Sequence, residues 1–99
     1  MPTKRATEPK TVEVTFTLPV DVDAEEVALC GEFNDWSSDD IKLIRAHDGG
    51  WQATVSLEPG RAYRYRYLLD GRRWENAWDA DNYVPNPYGG DDSVIVVLD

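Results

Sequence analysis

The chain has 99 residues, 41% apolar and 29% charged, with a net charge of −9, four tryptophans and one cysteine. That size allows one domain with one core, and the apolar content is too high for a disordered chain. The acidity argues against nucleic acid, which needs a basic surface that releases counterions, and against a bare anionic membrane, while Cys30 alone permits neither an intrachain disulfide nor a thiolate metal site.

Residues 1–10 are polar and include Pro2 and Pro9, which predicts a flexible tail ahead of a module over 11–99. The start is basic but has no apolar run behind it, so no secretory signal is expected. Nothing approaches the length of a membrane span, and the expected compartment is the cytoplasm. From Thr11, Val12, Val14, Phe16 and Leu18 alternate with Glu13, Thr15 and Thr17, a half-buried strand that Pro19 ends. Residues 23–26 look mildly helical. The apolar run 27–31 reads as a more central strand holding Cys30 as a small buried hydrophobe, and 41–45 as a weaker one.

Asp48-Gly49-Gly50 signals a hairpin, after which Trp51, Ala53, Val55 and Leu57 alternate with polar residues, so Trp51 is assigned to the core. Glu58-Pro59-Gly60 makes the next turn. Tyr63, Tyr65, Tyr67 and Leu69 then line an inward face opposite Arg64, Arg66 and Leu68. After the Asp70-Gly71 turn, Trp74 opens a short return strand, 79–92 reads as a loop, and 94–98 closes the domain. Short strands with turns every eight to twelve residues predict an all-β, immunoglobulin-like sandwich of six to eight antiparallel strands.

Two tryptophans are not claimed by this pattern. Trp36 follows the end of a strand, among the turn formers of Gly31-Glu32-Phe33-Asn34-Asp35-Trp36-Ser37-Ser38, where Phe33 is placed to plug the sandwich end. Trp36 either caps that end or binds something. Trp74 depends on the turn. A two-residue Asp70-Gly71 loop puts it opposite Tyr67 on the core face; a three-residue loop puts it opposite Leu68 beside Arg64 and Arg66. Alternation alone leaves this open. Exposed Trp beside Arg suits a sugar, whose C–H face is apolar and whose hydroxyls pair with charged side chains.

Gly31-Glu32-Phe33-Asn34-Asp35-Trp36, the hairpin from Tyr65 through Asp70-Gly71-Arg72-Arg73-Trp74, and the ending Asn86-Pro87-Tyr88-Gly89-Gly90-Asp91-Asp92-Ser93-Val94 together resemble carbohydrate-binding module family 48. That family includes the glycogen-binding domain of the AMP-activated kinase β subunit and the N-terminal early-set domains of isoamylases and branching enzymes. The resemblance covers roughly 11–98. It implies an immunoglobulin-like sandwich with a non-catalytic site for an α-1,4/α-1,6-glucan such as glycogen or starch, serving a glycogen-metabolising enzyme or kinase.

By position, the resemblance makes Trp36 and Trp74 the stacking residues and places Arg66 at a Lys position that bonds sugar hydroxyls. Tyr88 falls on an apolar residue that enters the curl of the glucan, and Asp92 on an Asn that contacts hydroxyls. Arg73 lengthens the hairpin by one residue, which favours the three-residue loop. Trp78 stands where many relatives have Pro, and either extends the platform or packs on the Tyr83-Val84 segment.

Other functions fit less well. The acids lie on scattered turns, and His47 has no Ser or Cys partner in a plausible motif, so no enzyme is expected. Asp79, Asp81 and Asn82 suggest a calcium loop, but Val84 stands where Gly is required and Gly90 where the bidentate Glu belongs; neither metal nor cofactor is expected. The arginines at 61, 64, 66, 72 and 73 crowd one hairpin beside aromatics, yet solvated pairing with the many acids explains them without nucleic acid. The competing reading is a protein-docking module of the same fold without sugar affinity.

Overall fold

The computed structural model describes the backbone of residues 3–8 and the whole of 11–98. It is the expected immunoglobulin-like all-β sandwich. One sheet contains β1 (Thr3–Glu8), β2 (Thr11–Leu18), β5 (Trp51–Leu57) and β4 (Ile44–Arg45), in the order β1-β2-β5-β4. The other contains β3 (Val27–Gly31), β6 (Arg61–Leu69), β9 (Asp91–Val97) and β8 (Asn82–Pro85), in the order β3-β6-β9-β8, and β7 (Arg73–Glu75) also pairs with β6. All pairings are antiparallel. No helix among the described residues is long and apolar enough to cross a membrane.

The alternation seen in the sequence becomes two facing surfaces. Val14, Phe16, Leu18, Trp51 and Leu57 of the first sheet meet Val27, Leu29, Tyr63, Tyr65, Tyr67, Leu69, Ile95 and Val97 of the second in one buried cluster. Phe16 sits edge-on to Tyr65, and Phe33 closes the end of the sandwich against Phe16 and Tyr63. Burying these side chains is the main stabilising term, at about 25 cal/mol per Å² of apolar surface.

Four segments depart from the sequence reading. Residues 3–8, expected as tail, pair along β2 with register Thr3↔Thr15. The ladder uses main-chain groups, which a polar sequence supplies as well as an apolar one. The remaining tail positions, 1–2 and 9–10, lie outside the described residues, as does 99. The 41–45 segment is strand only at β4, because the chain changes sheet there: Leu29 N–H donates to the Ile41 carbonyl and Leu43 N–H to the Val27 carbonyl before β4 joins β5. Residues 23–26 form no helix. Instead their backbone is drawn to the β6–β7 turn, where the Asp70 carboxylate accepts from the Glu25 and Glu26 amides at 2.8 and 3.0 Å. Finally, β8 forms inside the stretch read as loop, too short and polar to show a period, and pairs along β9.

Candidate functional site

The outer face of the β3-β6-β9-β8 sheet carries a cleft of about 540 Å³, lined by Glu32, Trp36, Arg64, Arg66, Trp74, Asn86, Pro87, Tyr88 and Asp92. All five residues singled out from the sequence border it. Its volume falls within the range usual for small-ligand sites.

Trp36 reaches the cleft through a tightly determined turn. β3 ends at Gly31, where a Cβ would stand 2.7 Å from the Arg64 carbonyl oxygen and 2.8 Å from the Phe33 ring, so no side chain fits. A single 3-10 turn over Glu32–Asn34 follows. The Asn34 side chain accepts from Gly31 N–H at 3.0 Å and donates to the Leu29 carbonyl at 2.9 Å. Asp35 and Trp36 then both adopt left-handed backbone, φ 55° and 60°, a conformation that costs a residue with a Cβ about 1–2 kcal/mol. Trp36 N–H donates to the Gly31 carbonyl at 2.9 Å and helps offset this. Trp36 packs on the cluster of Ala28, Cys30 and Leu68, so it lies on the sheet face rather than over the sandwich end.

The β6–β7 turn takes three residues. Leu69 pairs with Arg73 and Leu68 with Trp74, which puts Trp74 on the Arg64/Arg66 face, 46% exposed. Asp70 and Gly71 have positive φ, and Arg72 N–H donates to the Leu69 carbonyl. The hairpin is moored to the β2–β3 connection by the Asp70 carboxylate and by Arg73, whose Nη2 donates to the Asp23 carbonyl at 2.5 Å. The two amide donors, helped by nearby Arg73 and Arg72, hold the Asp70 carboxyl below its usual range.

Arg66 stands between the two tryptophans. Its guanidinium carbon lies 4.8 Å from the Trp74 ring centroid and 5.8 Å from that of Trp36, within cation–π range of both. The register Tyr65↔Ser93 carries Asp92 alongside, and its carboxylate pairs with Arg66 Nε at 3.2 Å and Arg64 Nη1 at 3.7 Å. Asp92 is only 5% exposed, and a carboxylate so buried requires partners of this kind. Tyr88 is the opposite case: at the tip of the β8–β9 hairpin it is 89% exposed.

Four lining residues, Glu32, Arg64, Asn86 and Pro87, are not among those assigned from the sequence. Arg64 was visible as the alternation partner of Arg66. Glu32 lies in the 3-10 turn, and its Oε1 accepts from Arg64 N–H of β6 at 2.7 Å, a contact distant in sequence that no local pattern records. Asn86 heads an Asn-Pro-Tyr-Gly-Gly turn, and that composition announces a turn without showing which wall it builds. Trp78 does not line this cleft. It is 64% exposed beside Val22, Arg73 and Glu75 in a small separate hollow.

No curated protein matches this chain. A family model described as the glycogen recognition site of AMP-activated protein kinase matches residues 12–97, from β2 through β9, with Trp36, Arg66, Trp74, Tyr88 and Asp92 inside the match. The chain therefore belongs to the glycogen-recognition family of carbohydrate-binding modules.

Proposed function

We propose that the cleft binds α-1,4-linked glucose chains, as in glycogen or starch, without catalysing a reaction on them. The observation that carries this reading is the pair of indoles flanking Arg66. Each offers an apolar surface to the C–H face of a pyranose ring. Two platforms on separate elements suit the curved path of an α-glucan better than a flat β-linked chain. Arg66 donates to sugar hydroxyls from between them. Asp92 holds that guanidinium in place and keeps lone-pair capacity for a hydroxyl. Tyr88 supplies an exposed ring at the rim that enters the curl of the chain.

A neutral ligand agrees with a protein of net charge −9, and it carries no phosphate to be repelled. Calorimetric titration with maltoheptaose and β-cyclodextrin, against a β-1,4-linked cello-oligosaccharide, tests the proposal. Binding of the two α-glucans in the micromolar to millimolar range, with none of the β-glucan, is expected. No heat from any α-glucan at millimolar concentration, with the protein folded, would remove the proposal and leave the docking-module reading in its place.

A further inference from the structure

Tyr88 stands on a loop that its own side chain does little to hold, since that ring is almost wholly exposed. The loop is organised by Asn86. Its side-chain oxygen accepts from Tyr88 N–H at 2.9 Å and from Gly90 N–H at 3.2 Å. Its own N–H donates to the Gly90 carbonyl at 2.8 Å, and its Nδ2 donates to Asp92 Oδ1 at 3.2 Å. The arrangement needs an acceptor on one side and a donor on the other, which an amide supplies. A carboxylate there would face the Asp92 carboxylate, and a hydroxyl is too short to span both contacts. Gly89, at φ 87°, turns the chain directly after Tyr88.

We propose that Asn86 is a positioning residue of the glucan site, acting on the sugar through Tyr88 on one side and through the Asp92–Arg66 pair on the other. This rests on the glucan reading above. Fixing the loop before the sugar arrives removes the ordering cost of fixing it afterwards. One amide thereby couples the exposed rim of the cleft to its buried charge.

The test is a double-substitution cycle read by calorimetry with maltoheptaose, with amide hydrogen exchange in parallel. Asn86→Ala should weaken binding roughly tenfold in the unsubstituted protein, and by about threefold or less once Tyr88→Ala is present. Amides of Tyr88 and Gly90 should exchange faster in Asn86→Ala while those of β6 and β9 keep their protection. A purely structural residue would instead speed exchange across the sheet. Asn86→Ser, whose hydroxyl still accepts from an amide two residues on, should lose less affinity, and it serves as the probe if the alanine variant does not fold.

Unchanged affinity in Asn86→Ala, or losses that add fully to those of Tyr88→Ala, would overturn the assignment while leaving the glucan reading intact. Failure of the unsubstituted protein to bind would end both.

Discussion

Removing the Asp92 carboxylate is the most informative single perturbation of the site. At 3.2 Å and an effective dielectric constant of about 20, its attraction to Arg66 is about 5 kcal/mol, much of it offset by the cost of taking the carboxylate out of water. Breaking a fully buried pair costs roughly 3–5 kcal/mol, because the surviving charge is stranded. Arg66 and Arg64 both reach solvent, so water recovers part of that, and we expect Asp92→Ala to destabilise the fold by about 2 kcal/mol. Asp92→Asn removes the charge but keeps the shape and an oxygen for Asn86 Nδ2, and should cost about half as much. Urea unfolding followed by tryptophan fluorescence measures both, with an unchanged denaturant slope as the check that the unfolded state is the same. A loss below about 0.5 kcal/mol for Asp92→Ala would mean that the pair is a surface contact and that Arg66 is not fixed by it.

Gly31→Ala should destabilise by about 2–3 kcal/mol in the same assay, because the backbone at φ −167° accepts alanine but the Arg64 carbonyl and Phe33 ring do not; a near-neutral result would refute the close packing there. The Tyr65 hydroxyl is buried with no hydrogen-bond partner among the described residues, so Tyr65→Phe should be neutral or stabilising by up to about 1 kcal/mol at pH 7, and a clear loss would reveal a partner. Burial raises the Tyr65 pKa, so the native state favours the neutral phenol. Its contribution is complete below the unfolded-state value of about 10 and fades as pH rises above it, so Tyr65→Phe should flatten the alkaline fall in stability. Asp70 has the opposite sign. Its lowered pKa gives a contribution present above the unfolded value of about 4 and lost as pH falls through the lower native value. Asp70→Asn should therefore make the acid limb of the stability profile shallower, and identical limbs would refute this mooring role.

The parts of the fold legible in the sequence are those with a strict period of two. The alternating runs in β2, β5 and β6, with the Gly-rich turns around them, place Trp51 and Tyr65 inward as the structure does. What was not legible depends on partners distant in sequence. β1 and β8 are strands because β2 and β9 offer them free edges, and no local pattern records that. The facing direction of Trp74 turned on one residue of loop length, which alternation alone left undecided and the Leu69↔Arg73 register resolves. Asn86 illustrates the same limit within the site. Its type marks a turn, but its link to Asp92 exists only because β8 and β9 pair.

The proposed glucan platform consists of two indoles on different elements. Calorimetric titration of maltoheptaose into Trp36→Ala and Trp74→Ala, with far-ultraviolet circular dichroism to verify the fold, tests it most directly. Each variant is expected to stay folded and to lose at least roughly tenfold in affinity. A folded Trp74→Ala protein that binds as tightly as the unsubstituted chain would contradict the shared platform.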